Sequence, residues 1–227
     1  MSESISPDLN RRYVIDTKKL DWTPSPSGTV WRKRVHQVGA RESGQVTSVV
    51  RYDSNARFPS HYHPAGEEIL VLDGVFSDEH GDWPAGTYLL NPEGFHHAPF
   101  SLAGCLLFVK LRQYPGQNRQ HVVVDTKAMS WQVTTDPTVV EKPLYAQLGF
   151  SDTTTLQQWQ PGTDFGAIDY PRGVEYFVLD GEFEDEAGRY CAGTWIRLPQ
   201  GSSHQPRSST GCTLYRKSGG FPYLAEE

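Results

Sequence analysis

The sequence predicts an all-β protein in which one β-barrel unit occurs twice in tandem, through internal duplication. Three observations predict it. Residues 64–110 align with residues 171–217 at a constant offset of 107, without a gap. The apolar segments are short and separated by turns, with 21 Gly and 16 Pro among 227 residues, the punctuation expected of a sandwich or barrel. No segment keeps apolar residues at i, i+3, i+4 and i+7 for three turns, so no major helix is expected.

The repeat is carried by register rather than by composition. Pro64/Pro171, Gly66/Gly173, Glu68/Glu175, Phe76/Phe183, Pro92/Pro199, Gly94/Gly201 and His97/His204 all match, and Val71-Leu72-Asp73-Gly74 answers Val178-Leu179-Asp180-Gly181. Upstream, Val14–Trp22 (VIDTKKLDW) answers Val123–Trp131 (VVDTKAMSW) at an offset of 109. These limits give an N-terminal tail (1–13), a first barrel (14–114) and a second barrel (115–227), with a linker near Tyr114–Arg119.

Within the first unit, Val46–Tyr52 is β-branched and short, as a strand should be. Ile69–Leu72 is followed by Asp73-Gly74, which reads as a hairpin turn. Thr87–Leu90 runs to Asn91-Pro92, and Leu106–Leu111 closes the unit. The apolar fraction of 37% and aromatic fraction of 12% are enough for a packed core.

Charge narrows the function classes. The net charge is −6 with no basic run, which excludes nucleic acid and anionic membrane as natural partners. The first residues show no signal-peptide pattern, and no apolar run approaches the ~20 residues of a membrane helix. Cys105, Cys191 and Cys212 form an odd set without a CxxC, which disfavours a disulfide framework or Cys-based zinc finger and fits a cytoplasmic protein. Cys105 and Cys212 occupy equivalent strand positions and read as buried small hydrophobes.

Chemistry concentrates in His61-Tyr-His63-Pro-Ala-Gly-Glu67-Glu68. Residues two apart on a strand share a face, so His61 and His63 can aim both imidazoles into one barrel interior. Pro64-Ala65-Gly66 turns the chain and Glu67 opens the next strand. A further ligand must come from elsewhere, and His97 supplies it after the Gly86-x5-Pro92-x-Gly94 turn. Three imidazoles and a carboxylate suit one divalent transition metal, with zinc or iron foremost and nickel or manganese accepted, rather than Ca or Mg. At the 107 offset, His61 becomes Ile168, His63 becomes Tyr170 and Glu67 becomes Val174; only His204 survives, so the second barrel is expected to hold no metal.

The spacing His-x-His-x3-Glu-x6-Gly followed by Gly-x5-Pro-x-Gly-x2-His resembles the two cupin motifs, and with them the cupin domain of the ChrR family of anti-sigma factors. The resemblance covers residues 14–112 and 123–217 and implies two jelly-roll barrels. By that resemblance His61, His63, Glu67 and His97 take the ligand positions, with the spacing to Gly74 favouring Glu67 over Glu68. Ser101 stands where the second motif often has Asn. Histidines outside the pattern, His36, His80 and His121, are expected at the surface or in turns, and His96, which misses the spacing, in a pocket or at the surface. The resemblance implies either a metal-dependent dioxygenase of small carbonyl compounds or a zinc-binding regulatory module. The family's sigma-binding zinc domain has no counterpart in this sequence, which speaks against a sigma factor as partner. Trp83, Tyr88, Phe95 and Phe100 are the aromatic candidates for a substrate pocket. A small-molecule ligand is expected; barrels of this type often pair as homodimers, and the residues do not fix the oligomeric state.

Overall fold

The computed structural model describes residues 4–225. Along the chain its principal strands are β1 (Tyr13–Asp16), β2 (Val30–Val38), β3 (Gln45–Tyr52), β4 (His61–Tyr62), β5 (Glu67–Asp78), β6 (Thr87–Asn91), β7 (His96–His97) and β8 (Cys105–Leu111). The second half continues with β9 (Val122–Asp125), β10 (Val139–Ala146), β11 (Thr153–Trp159), β12 (Ile168–Tyr170), β13 (Val174–Asp185), β14 (Thr194–Leu198), β15 (Ser202–His204) and β16 (Cys212–Ser218). Among the described residues the helical elements are two single 3-10 turns, Thr17–Lys19 and Phe221–Tyr223. None is long and apolar enough to cross a membrane.

Two compact units result. In the first, the main sheet runs β9-β6-β5-β8-β3-β2, and β4 pairs with β7 in a small second sheet. In the second, the order is β1-β14-β13-β16-β11-β10, with β12 on β15. These are the same layout repeated, as the offset of 107 requires.

The edge strands depart from the contiguous division at residue 114. Val122–Asp125 pairs with Thr87–Asn91 and completes the first unit, while Tyr13–Asp16 pairs with Thr194–Leu198 and completes the second. The registers correspond, Val123 opposite Leu89 and Val14 opposite Ile196. Each VDTK element therefore caps an otherwise open edge of the other repeat, the kind of exchange by which edge strands are kept from pairing elsewhere. The tail is not loose either. Ile5 exchanges both backbone hydrogen bonds with Gln37, Leu9 is buried, and Arg12 reaches Asp185 at 2.6 Å. The linker is packed as well: Tyr114 is buried, and its backbone N–H donates to the Ala65 carbonyl at 2.7 Å.

Asp73-Gly74 does not end a strand. β5 runs on to Asp78 and turns at Glu79-His80, where Asp78 faces Gly81. Gly74 has φ +71°, and a Cβ there would lie 2.3 Å from the Gly104 carbonyl oxygen. The register against β8 shifts at this point, which marks a bulge. The bulge bends β5 from its pairing with β6 to its pairing with Gly81–Pro84. Gly181 repeats this geometry against Gly211. A glycine with positive φ after Asp serves a bulge as well as a turn, and the sequence alone does not separate the two.

The first core gathers Val30, Val50, Tyr52, Ile69, Val71, Phe76, Leu89, Leu107 and Val109. The second gathers Trp159, Tyr170, Tyr176, Val178, Phe183, Tyr190, Ile196 and Leu214. Cys105 and Cys212 are both buried, and burial pushes their thiols up to about 11 and about 12. At neutral pH they are packing groups rather than nucleophiles.

Candidate metal centre

The small sheet of the first unit brings the predicted histidines together. β4 and β7 pair antiparallel with His61 opposite His97 and Tyr62 opposite His96. His61 and His97 thus share one face, and His96 and Tyr62 face away, exposed. His63 follows β4 and is buried, its backbone N–H held by the Phe95 carbonyl at 2.9 Å. One ring nitrogen from each of His61, His63 and His97 lies within 4.8 Å of the others.

Glu67, the first residue of β5, joins them. Its Oε2 is 3.5 Å from His63 Nε2 and 3.6 Å from His97 Nε2, and those two nitrogens are 2.9 Å apart. Glu68 points to the other face of the strand, where its carboxylate accepts from the Tyr88 hydroxyl at 2.6 Å and from Tyr114. The alternation of a strand therefore separates the two adjacent glutamates.

The opposite nitrogens of two rings are already committed. His97 Nδ1 is 2.9 Å from Asp78 Oδ2, and His61 Nδ1 is 2.9 Å from the Pro59 carbonyl. A carboxylate and a carbonyl only accept, so both Nδ1 atoms carry the proton and both Nε2 atoms present bare lone pairs. Asn91 Nδ2 donates to Glu67 Oε2 at 3.0 Å and fixes that carboxylate. Asp78 and Asn91 were not among the residues expected from the sequence. For Asp78 a signal was available: the repeat keeps Asp185 with His204 at the same offset.

Electrostatics sharpen the picture. Burial lowers the pKa of His63, opposed by Glu67 and reinforced by His97 and His61, and the net result is below the ordinary value. For His97 burial also works against the charge, but the hydrogen bond to Asp78 and the Glu67 carboxylate outweigh it and raise the pKa. For Asp78 burial favours the neutral acid, and the hydrogen bonds from His97 and the His80 backbone reverse this and lower the pKa.

These residues fit a metal ion. Ligand atoms about 2.1 Å from a common ion lie about 3.0 Å apart across a right angle and about 3.4 Å apart across a tetrahedral angle. The separations of 2.9, 3.5 and 3.6 Å lie close to those two values, so a small closing movement of the side chains would complete the shell. Two facing imidazole nitrogens beside a buried carboxylate need a proton or a cation between them. The Asp78–His97 pair is the carboxylate–histidine arrangement that fixes a ligand's tautomer.

His61, His63 and Glu67 also line one wall of a cavity of about 470 Å³, within the range of small-molecule sites. The inward faces of β2, β3, β5 and β8 complete it with Val30, Val50, Tyr52, Ile69, Leu107 and Val109; Phe58 and Phe76 add aromatic surface. The expected wall aromatics are elsewhere. Tyr88 bonds Glu68, Trp83 Nε1 donates to Asp78 at 3.4 Å, Phe95 stacks on His121 at 4.9 Å, and Phe100 lies beneath the Arg57 guanidinium. Aromaticity near the motif was a poor guide: Tyr88 is taken up by Glu68, Phe95 lies in the turn before β7, and Trp83 packs against the core without lining the cavity. His36 is a second correction: it is fully buried, with Nδ1 3.1 Å from the Ser6 carbonyl and Nε2 3.3 Å from Gln45 Oε1. His80 and His121 are exposed as expected.

In the second unit the frame survives and the ligands do not. β12 and β15 pair Ile168 with His204, and His204 Nδ1 is 2.8 Å from Asp185. Tyr170, in the place of His63, puts its hydroxyl 3.0 Å from His204 Nε2 and 3.0 Å from the Tyr176 hydroxyl. The phenol occupies the lone pair that a metal would use.

The family profile of the ChrR Cupin-like domain matches residues 10–115 and again residues 119–222. No curated protein matches the sequence. Among solved structures, a candidate dioxygenase from Nostoc punctiforme superposes with a TM-score of 0.75 at 16% identity, covering 91% of this chain and 82% of that one. The bacterial pirin YhhW from Escherichia coli, in complex with nickel(II), gives 0.67 at 11% identity, covering 92% and 98%. A Bacillus subtilis oxalate decarboxylase with Mn(II) centres gives 0.59 at 12%, covering 91% and 76%. At these identities the likeness concerns the fold.

Proposed function

The chain belongs to the ChrR Cupin-like domain family, and from that membership and the geometry of its first barrel we propose that it is a metalloenzyme that oxidises a small carbonyl compound. One divalent transition metal is held by His61, His63, Glu67 and His97, with iron the ion best suited to the reaction. The observation that carries this reading is that the nitrogens and the Glu67 carboxylate converge at the wall of a cavity of about 470 Å³, rather than in a sealed core. A structural staple has no use for an adjoining chamber. The nickel of the pirin and the manganese of the oxalate decarboxylase support a transition metal in this fold.

When bound, the metal supplies Lewis acidity toward an enolisable oxygen and, as iron(II), reactivity with O₂. The chain supplies the rest. Asp78 keeps the His97 proton on Nδ1, so that Nε2 stays free. Asn91 holds Glu67 in one orientation. The apolar wall of Val30, Val50, Ile69, Leu107 and Val109 takes the substrate's carbon skeleton and excludes water.

The test is metal analysis of the purified protein, then O₂ uptake by the iron(II)-loaded protein over a panel of β-diketones and hydroxy-ketones. Uptake is expected with at least one compound and is expected to vanish in the apoprotein. Tightly held zinc with no uptake from any compound would contradict the enzymatic reading.

Proton competition gives a second expected result. A ring holds metal only when its nitrogen is bare. His97, with its raised pKa, takes up a proton first as pH falls, and His63, with its lowered pKa, follows. Metal content is therefore expected to be complete above about pH 7.5 and to fall by half near about pH 6. Dialysis at graded pH followed by elemental analysis reads this directly; full occupancy at about pH 4 would rule out imidazole ligation.

A further inference from the structure

We propose that the substrate of this pocket carries a carboxylate, and that Arg34 is the residue that selects for it. The inference rests on the metalloenzyme reading and adds the class of substrate.

Arg34 lies on β2, opposite Ser48 of β3, and both line the cavity. Its side chain is only 6% exposed, and the ion pair it makes is a single contact to the half-exposed Glu42. Its hydrogen bonds are marginal. Nη1 donates to Thr23 Oγ1 at 3.2 Å, and Nη2 to Glu42 Oε1 at 3.3 Å and to the Arg41 carbonyl at 3.5 Å. Nε is buried with no partner at all. A buried, unused N–H on a charged group costs free energy unless a ligand uses it.

The charge around it points the same way. Arg32, Arg34, Arg41 and Arg112 line the cavity, and the carboxylates lining it are Glu42 and Glu67. Glu67 is committed to the metal in the proposed function. Glu42 is then the remaining carboxylate for four guanidinium groups, and it is already bound by Arg32 at 2.7 Å. Burial, and then the neighbouring Arg32, lower the pKa of Arg34; Glu42 opposes them and does not fully offset them, so a further anion would be favoured here. The planar fork of a guanidinium matches a carboxylate through two parallel hydrogen bonds, and Nε with one Nη forms one such fork. The substrate so selected is an organic acid with an apolar body between its carboxylate and its carbonyl group.

The test uses a matched pair of probes, 4-acetoacetylbenzoate and its methyl ester, which differ at the carboxylate alone. Binding is measured by calorimetry on the zinc-loaded protein and on protein stripped with EDTA, for the wild type and for Arg34→Met, Arg34→Gln and Arg34→Lys. In the wild type the acid is expected to bind about ten-fold or more tighter than the ester. In Arg34→Met and Arg34→Gln that preference is expected to fall below about two-fold, with ester affinity, metal content and melting temperature retained; Arg34→Lys is expected to recover part of it. Equal binding of acid and ester by the wild type would overturn the proposal. So would an equal loss of both ligands in Arg34→Met, which would mark a packing role. The preference is read on the stripped protein too. A chain that binds no metal but still prefers the acid keeps the Arg34 assignment and loses the metalloenzyme reading.

Discussion

Replacing His63 with Ala is expected to take the metal content from about one ion per chain to near zero, while His204→Ala leaves it unchanged. The two histidines sit at first sight in comparable places, each buried in its own barrel. Their surroundings differ. His63 Nε2 faces His97 Nε2 and Glu67, and it adds a third imidazole to the donor set. His204 Nε2 is spent on the Tyr170 hydroxyl, and Ile168 and Val174 stand where further ligands would be. The second variant is expected to act on stability instead. Removing the ring deprives Asp185 of one partner and Tyr170 of another, although Arg12 and Tyr190 still reach Asp185. A loss of about 1–3 kcal/mol is the usual cost of such a buried gap. Elemental analysis and thermal melts on both variants separate the two effects. Equal metal loss in both would contradict a single site.

Asp78→Asn is expected to weaken metal binding about 10–100-fold without changing the number of ions bound. Asp78 touches none of the ring nitrogens that face the cavity. It acts through His97, whose Nδ1 it holds at 2.9 Å, and its charge makes that ring a better donor. Asn keeps a carbonyl oxygen that can accept the same hydrogen bond, so orientation is largely preserved and the charge is what is lost. Competition with a chromogenic chelator measures the change. Asp185→Asn is the matched control in the other barrel and is expected to leave metal affinity alone. An affinity for Asp78→Asn within about two-fold of the wild type would show that the pair is structural.

Much of the site was legible because ligand spacing on strands is a local property. His61 and His63 are two apart and Glu67 follows a Pro-Ala-Gly turn, so local chain geometry brings those three near one another; His97 was legible as the end of a second motif, and the pairing of β7 with β4 carries it to them. The degenerate second copy was legible for the same reason. What failed was whatever depends on partners distant in sequence. The VDTK strands are nearly identical in both copies, and nothing local says that each completes the other repeat. The Asp73-Gly74 pair carries a turn signal, yet the approach of the Gly104 carbonyl makes it a bulge within a 12-residue strand. The pocket wall comes from the inward faces of β2, β3 and β8, which carry no motif, and Arg34 is silent in the sequence until β2 buries it. His36 illustrates the same limit, since the groups that bury it include the Ser6 carbonyl, 30 residues away.

The most direct measurement is an anomalous diffraction map, recorded at the absorption edge of the metal found on purification. The account predicts one peak per chain, about 2.0–2.2 Å from a ring nitrogen of His61, His63 and His97 and from a Glu67 carboxylate oxygen. A peak seated beside His204, or one that leaves Glu67 or any of the three imidazoles uncoordinated, would contradict it.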